Sequence, residues 1–324
     1  MVAAVRVHEY GGPEVMRYEE VDLPAPGPGE VRVRQTAIGV NYIDTYFRSG
    51  HYKAPSLPFI AGNEAAGEVT ALGEGVSTLK IGDRVGYVLG LGCYAAERNG
   101  PAASMVKLPD GISDEMAAAM MLKGMTVEYL LNRSYKVKAG DTILVHAAAG
   151  GVGLILSQWA KSLAATVIGT AGSPEKAELA KQNGCDHVIL YRQDSFAERV
   201  KEITGGKLCE VVYDGIGKDT VVASLDCLKP LGVLVNFGSA SGPVESFNLG
   251  LLAPKGSLYV TRPTLNTFTA RRDWLEEIAG NLFDVVASGK VKIAINKRAK
   301  LQDAVEVHRA LEGRETTGAT IMTP

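Results

Sequence analysis

The chain has 324 residues, about twice the ~150 residues of a typical domain, so two domains are expected. Its 34 Lys and Arg nearly balance 36 Asp and Glu, a formal net charge of −2, which argues against an electrostatic nucleic-acid binder or a polybasic membrane-surface protein. With 46% hydrophobic and 22% charged residues it has ordinary globular composition and enough apolar material for a core.

Residues 1–121 read as short strands between turns. Val31-Arg32-Val33-Arg34 alternates apolar and charged, the period of a half-buried strand. It follows Pro24-Ala25-Pro26-Gly27-Pro28-Gly29, which cannot be helical. Gly11-Gly12-Pro13, Gly73-Glu74-Gly75 and Gly82-Asp83 mark further turns, and the spacing predicts a small barrel or curled sheet. From 122 to 264 apolar strand-like runs at 142–148, 166–171, 187–191, 210–214, 233–238 and 258–261 alternate with helical patterns. That alternation reads as an α/β fold, a doubly wound parallel sheet with helices on both faces. Six strands is the number in its dinucleotide-binding form. The remainder, 265–324, carries a helix over 274–287, a strand near 290–295, a helix over 301–311 and a last strand at 320–322. It is too short for a core of its own and is expected to return to the first domain. The domain assignment is therefore 1–121 with 265–324, and 122–264.

The four cysteines, Cys93, Cys185, Cys209 and Cys227, form no C-x-x-C pair, so neither a disulfide framework nor a clustered zinc site is read from them. The first residues lack a long apolar stretch, and no run approaches the ~18 apolar residues of a membrane span. The expectation is a soluble cytoplasmic protein without a membrane partner.

The strongest local signal is the run from Thr142 through Ala147-Ala148-Ala149-Gly150-Gly151-Val152-Gly153, a strand entering a glycine-rich turn. The helix after it carries one apolar stripe, Val152, Ile155, Leu156, Trp159, Ala160 and Leu163. Glycine lets the backbone approach a pyrophosphate, and a helix N-terminus offers N–H groups and a positive dipole end. Ala148 stands at the first position of G-x-G-x-x-G. The alternative is a turn that only packs helix against strand. An acidic residue ~20 positions after the glycines would bind the ribose 2′-hydroxyl of NAD. Here the segment is Thr170-Ala171-Gly172-Ser173-Pro174-Glu175-Lys176, with no Asp or Glu at the strand end. Ser173 reads as an N-cap with Pro174 at the first helical position. Lys176 then opposes the helix dipole unless an anion binds beside it; the alternative is a solvated surface lysine.

Gly11-Gly12-Pro13-Glu14-Val15, Pro28-Gly29-Glu30-Val31, Gly39-Val40-Asn41-Tyr42-Ile43-Asp44, Gly62-Asn63-Glu64-Ala65-Ala66-Gly67, Gly82-Asp83-Arg84-Val85 and the glycine turn occur in order over nearly the full chain. Together they resemble the zinc-free, zeta-crystallin-like quinone oxidoreductases of the medium-chain dehydrogenase/reductase superfamily. The resemblance implies a split GroES-like β-barrel catalytic domain, a Rossmann domain, NADPH as cofactor, a quinone as substrate, and a homodimer. The zinc-dependent branch of that superfamily has Cys and His where this chain has Asn41 and Asn63, and Leu122 stands at the remaining Cys position. Asn and Leu offer no thiolate or imidazole, so no metal is expected. The family often ends the helix after the glycine turn with Gly; here Ala164 stands there.

By resemblance, Asn41, Tyr46 and Tyr52 line the quinone pocket and Asn41 also meets the cofactor. Tyr combines a stacking face with a hydroxyl. Tyr42 is expected as a barrel or surface residue, and Asp44 as a hydrogen-bonding scaffold. Lys123 and Thr126 are expected to face the cofactor, with Lys123 either polarising a substrate oxygen or held in a salt bridge. Ala149, Gly150, Gly151, Val152, Gly153, Ser173 and Lys176 are the phosphate-binding candidates, joined by resemblance by Tyr191 and Arg314. Gly215, Phe237 and Gly238 end later parallel strands, where dinucleotides bind, and Arg262 reaches the same crevice. His146, inside a strand, reads as a packed residue. The reading is an NADPH-dependent quinone reductase working without zinc. Its alternatives are an enal or enone reductase on the same scaffold and, from another class, a non-catalytic NADPH-binding structural or RNA-binding protein.

Overall fold

A computed structural model of the chain describes residues 1–313 and 315–324. In chain order it contains β1 (Val2–Val7), β2 (Met16–Val21), β3 (Glu30–Val40), α1 (Tyr42–Ser49), β4 (Phe59–Ile60), β5 (Glu64–Leu72), β6 (Arg84–Val88), β7 (Glu97–Pro101), β8 (Met105–Lys107) and α2 (Asp114–Tyr129). Then come β9 (Thr142–Val145), α3 (Gly151–Ser162), β10 (Thr166–Ala171), α4 (Pro174–Gln182), β11 (His187–Leu190), α5 (Phe196–Ile203), β12 (Cys209–Asp214), α6 (Val221–Ser224), β13 (Leu228–Asn236) and β14 (Tyr259–Thr261). The chain closes with α7 (Leu265–Thr269), α8 (Arg272–Ala287), β15 (Ile295–Lys300), α9 (Ala304–Glu312) and β16 (Ala319–Thr323). It divides into two compact units, one of residues 1–123, 271–283 and 293–324, the other of 124–270 and 284–292. No helix among the described residues is long and apolar enough to cross a membrane.

The first unit holds a sheet in the order β15-β16-β3-β5-β6-β8, with β7 also on β3, and a small sheet in the order β2-β1-β4. β3 begins with the alternation that its sequence predicts: Val31, Val33 and Gln35 are buried between more exposed neighbours. Its end, Ala37–Val40 by position, is buried continuously, because β16 pairs there antiparallel, with Thr320 opposite Val40. A Cβ on Gly39 would lie 2.1 Å from the Ala118 carbonyl oxygen, so only glycine lets α2 approach β3 this closely. α2 is buried all round at Ala117–Met121, the mark of a core helix rather than a surface one. The unit's core joins Val5, Val33, Ile38, Tyr87 and Tyr94 to Leu301, Val307 and Met322 of the returning tail. Each such aliphatic side chain contributes roughly 1.5–3 kcal/mol of burial.

The second unit is built on an all-parallel sheet in the order β11-β10-β9-β12-β13-β14. Numbered within the sheet this is 3-2-1-4-5-6, the doubly wound dinucleotide-binding order. Ile155, Leu156, Trp159 and Ala160 of the α3 stripe are buried, while Val152 and Leu163 are half-buried. β9 stops at Val145 rather than continuing to 148, since Ala147 turns out of the sheet with φ 53°.

The strand expected near 290–295 lies instead at Ile295–Lys300, where it runs parallel to β16. The preceding backbone is satisfied another way: Lys292 N–H donates to Gln158 Oε1 at 2.9 Å and its carbonyl accepts from Gln158 Nε2 at 3.2 Å. A side-chain amide thus takes the bonds that a strand neighbour would have supplied, and Val291 is buried as a single anchor.

Candidate active site

In the first unit β3 delivers Asn41 to the N-cap of α1. The carboxylate at N3 returns to the cap: Asp44 Oδ2 accepts from Asn41 N–H at 2.8 Å. Asp44 Oδ1 accepts from Asn63 Nδ2 at 2.6 Å, and Oδ2 also accepts from the Tyr94 hydroxyl at 2.9 Å. Burial pushes the Asp44 carboxyl up to about 6, against the pull of these donors and of the Lys123 charge. The scaffold role expected of Asp44 matches its three bonds, but its titration lies far above that of an ordinary aspartate. Tyr94 continues to His308 Nε2 at 3.0 Å; burial and then the Arg48 charge hold that imidazole down to about 3. Arg48, itself buried, donates to Glu312 at 2.5 Å.

Asn41 is tied on its other side to a second buried carboxylate. Its Nδ2 donates to Glu64 Oε2 at 2.7 Å. Glu64 also accepts from Leu122 N–H at 2.6 Å and faces Lys123 Nζ at 3.5 Å, while Lys123 donates to the Val40 carbonyl at 3.2 Å. Lys123 is therefore in the buried ion pair that was one of its two readings. Burial raises the Glu64 carboxyl above its ordinary range, opposed by the Lys123 charge and the three donors.

Following Asn41, the aromatic residues of α1 and the next loop gather. Tyr46 meets Tyr52 edge-to-face at 5.2 Å between ring centroids, Tyr42 at 5.5 Å and His51 at 5.1 Å. Tyr42, expected as a barrel or surface residue, is half-buried and in contact with Tyr46. These geometries suit aromatic contact, and each hydroxyl adds a polar handle.

In the second unit Gly150 caps α3 with an extended backbone, and the first-turn N–H groups of Gly151, Val152 and Gly153 have no intrahelical acceptor. A Cβ on Gly153 would lie 2.4 Å from the Ala147 carbonyl oxygen and 2.7 Å from Ala148 Cα, so the third glycine seats the helix against the turn. On Gly150 a Cβ would meet only the Ala147 oxygen, at 3.2 Å, leaving the turn's outer side without a side chain. Ala149 is buried within the turn. His146 is packed as expected, its ring nitrogens paired with Thr170 Oγ1 at 3.1 Å and Ser224 Oγ at 2.9 Å.

At the end of β10, Ser173 caps α4 by accepting from Lys176 N–H at 3.4 Å, with Pro174 in the first turn. The Tyr191 hydroxyl lies 2.9 Å from where a Cβ would stand on Gly172, bringing it beside the same cap. Gly215 and Gly238 abut so closely that a Cβ on Gly238 would fall 2.5 Å from the Gly215 carbonyl oxygen; Phe237 lies against Gly215. Asp214 spends its carboxylate on its own turn, accepting from Ile216 N–H at 2.8 Å, Gly217 N–H at 3.0 Å and the Thr220 hydroxyl at 2.9 Å. Thr126 hydrogen-bonds with Tyr129, whose ring stacks on Phe268 at 4.5 Å and feels the charge of Arg262. Arg314 lies outside the described residues.

Sequence reasoning named Glu64 only as part of a motif. Its signal was a lone acid in a run of small residues, Ala61-Gly62-Asn63-Glu64-Ala65-Ala66-Gly67, a composition that buries whatever charge it contains. Tyr129 was legible as the helical neighbour of Thr126, three positions on. Nothing local marked His308 as the partner of Tyr94, 214 positions away. Among the described residues no group of three or more His, Cys, Asp and Glu is arranged to hold a metal ion.

Comparison with known proteins covers both units. The alcohol dehydrogenase GroES-like domain matches residues 27–131, and the zinc-binding dehydrogenase family matches residues 151–281. A quinone oxidoreductase of Pseudomonas aeruginosa is 51% identical over 325 residues, covering 100% of both chains. A 2-haloacrylate reductase of a Burkholderia species is 45% identical, over 100% of this chain and 99% of that one. The crystal structure of Escherichia coli quinone oxidoreductase complexed with NADPH superimposes with a TM-score of 0.97 at 48% identity, over 99% of this chain and 100% of that one.

Proposed function

The chain belongs to the quinone oxidoreductases of the medium-chain dehydrogenase/reductase superfamily, and we propose that it reduces a quinone with NADPH and without zinc. The observation that carries this reading is the chemistry at the former metal positions. Asn41 and Asn63 donate their amides to Glu64 and Asp44, and Leu122 donates its backbone N–H to Glu64. Neither an amide nor a leucine supplies the thiolate or imidazole that holds a catalytic zinc. A site without a Lewis acid suits a substrate that already accepts electrons readily, and a quinone does. When bound, NADPH supplies the hydride. The protein's work is to bind and orient.

On this reading the backbone N–H groups at Gly151, Val152 and Gly153 hold the pyrophosphate, with Ala149 and Gly150 shaping the turn. Ser173, Lys176 and Tyr191 take the 2′-phosphate, beside a strand that ends without an Asp or Glu; Arg314 is proposed to join them. Gly215, Phe237, Gly238, Thr126 and Arg262 line the rest of the dinucleotide path. Asn41, Tyr46 and Tyr52 orient the quinone, and Lys123 acts through its charge from within the ion pair. We assign the catalytic domain to 1–121 with 265–324 and the cofactor domain to 122–264. The exposed edge strand β14, with Tyr259 60% exposed, is proposed to pair with a second copy in a homodimer, in the cytoplasm.

The test is NADPH oxidation by the purified protein across a panel of benzoquinones and naphthoquinones, run beside metal analysis. Quinone-dependent turnover with far less than one zinc per chain is the expected result. No turnover despite NADPH binding would return the chain to the non-catalytic reading. The relationship to a 2-haloacrylate reductase favours a second reading, reduction of a polarised carbon–carbon double bond, so the panel includes acrylates and enones.

A further inference from the structure

We propose that Glu64 is a positioning residue for substrate, one that fixes which end of the Asn41 amide faces the reacting molecule. This rests on the reading of Asn41 as a substrate-orienting residue. The two ends of a carboxamide occupy nearly the same volume, so packing alone does not choose between them; the hydrogen-bond partners do. Around Glu64 every partner is a donor. Oε1 accepts from Leu122 N–H at 2.6 Å, and Oε2 accepts from Asn41 Nδ2 at 2.7 Å and faces Lys123 Nζ at 3.5 Å. The Leu122 N–H and the Lys123 ammonium can only donate, and both call for the carboxylate. A carboxylate only accepts. The Asn41 NH2 must then point at Glu64, and its carbonyl oxygen is turned away as an acceptor.

Two features keep this choice firm. Glu64 is fully buried, so water does not compete for its lone pairs. A Cβ on Gly39 would fall 2.4 Å from Glu64 Oε2, so the glycine leaves the space that the carboxylate fills.

Glu64→Gln separates positioning from packing. The variant side chain keeps the size but has one oxygen and one NH2. The Leu122 N–H belongs to a helix backbone and cannot turn, so it claims the oxygen. The NH2 is left against Asn41, whose amide must flip and present its NH2 where its oxygen had been. A crystal structure of the variant should show the Asn41 hydrogen-bond pattern reversed. Its kcat/KM for quinone should fall about ten-fold. Asn41→Ala should cost a similar factor in the wild type and less than about two-fold in the Glu64→Gln background, because both changes remove one interaction. Full additivity of the two losses, or wild-type kcat/KM in Glu64→Gln, would overturn the proposal.

If Glu64→Gln fails to fold, the wild type still decides. The Asn41 side-chain amide, identified by the nitrogen resonance missing from Asn41→Ala, should show a downfield proton protected from solvent exchange. Free exchange of both protons would refute the hold by Glu64. A wild type that protects this amide but oxidises no NADPH with any quinone would refute the function and leave the positioning by Glu64 standing.

Discussion

Around Gly150 the second unit presents backbone. The turn is made of alanine and glycine, its first-turn N–H groups lack intrahelical acceptors, and the Asp214 carboxylate is consumed by its own turn. Around Asn41 the first unit does the reverse. There side chains carry the charge: two carboxylates and an ammonium are buried, and each has a partner distant in sequence. A backbone site is damaged by atoms added to it. A buried side-chain network is damaged by atoms removed from it, and its stability shifts with pH. The two regions should therefore fail in opposite ways.

The largest effect is expected in the network. Asp44→Ala strips the acceptor from three donors, Asn41 N–H, Asn63 Nδ2 and the Tyr94 hydroxyl, all buried. A loss of roughly 3–5 kcal/mol in unfolding free energy is expected, read by urea denaturation. A loss below about 1 kcal/mol would mean that water enters and replaces the carboxylate.

The proton sensitivity has a definite sign. Folding raises the Asp44 carboxyl from 3.8 to about 6. Between those values the native state binds the proton more tightly than the unfolded chain, so Asp44's contribution is fully present below pH 3.8 and is lost as pH rises through about 6. At about 1.4 kcal/mol per pH unit the contribution is about 3 kcal/mol. His308 works against it. Its imidazole falls from 6.5 to about 3, so its contribution is present above 6.5 and is lost as pH falls through about 3. The wild-type profile alone will not separate them, but the difference between wild type and Asp44→Asn should. That difference should shrink as pH rises from 4 to 7. A pH-independent difference would show that Asp44 titrates at its ordinary position.

The glycine turn supplies the opposite failure. Gly153→Ala must push a methyl into the backbone of Ala147 and Ala148, and a loss of roughly 1–3 kcal/mol is expected by denaturation. Gly150→Ala meets only one atom at a tolerable 3.2 Å. Its stability should fall by only about 0.5–1 kcal/mol, the cost of alanine at an N-cap, while NADPH affinity, measured by fluorescence titration, falls. Equal destabilisation in both variants would mean that the turn does not distinguish helix seating from ligand approach.

A smaller change tests the proposed cofactor choice. Lys176→Ala should weaken use of NADPH about ten-fold or more and leave NADH nearly untouched, since a charge-assisted bond to the 2′-phosphate is worth on the order of 1.5–3 kcal/mol. Steady-state kcat/KM with both cofactors reads it. Equal losses would assign Lys176 a structural role.

The same contrast explains what could be read before the fold was known. The parallel sheet, the glycine turn and the Ser173 cap are local patterns: a period, a dipeptide, a residue before a proline. Each is written within a few positions, and each reappears in the structure. The network is not local. Asn41 and Glu64 are 23 positions apart, Glu64 and Lys123 59, and only the antiparallel pairing of β3 with β5 and the docking of α2 bring them together. A motif search finds the residues but not the bonds. The misplaced strand at 290–295 shows the limit from the other side. Its apolar alternation was real, yet Gln158 had already satisfied the backbone at Lys292.

The smallest predicted effect is a gain. α3 ends in a Schellman arrangement: Ala165 N–H donates to the Ala160 carbonyl at 3.2 Å, and Ala164 N–H donates to the Lys161 carbonyl at 3.0 Å. The motif requires a left-handed residue, and Ala164 takes it with φ 62°. An L-residue with a Cβ is strained there by roughly 1–2 kcal/mol, whereas glycine is not. Glycine gives part of this back through the greater freedom of its unfolded chain, by roughly 0.4–1 kcal/mol. Ala164→Gly should therefore stabilise the protein by about 0.5–1 kcal/mol, seen as a raised urea midpoint at unchanged slope. Ala160→Gly, the same exchange inside the helix, should destabilise by about 1 kcal/mol or more. If both substitutions destabilise alike, the bonds of the motif hold Ala164 without strain.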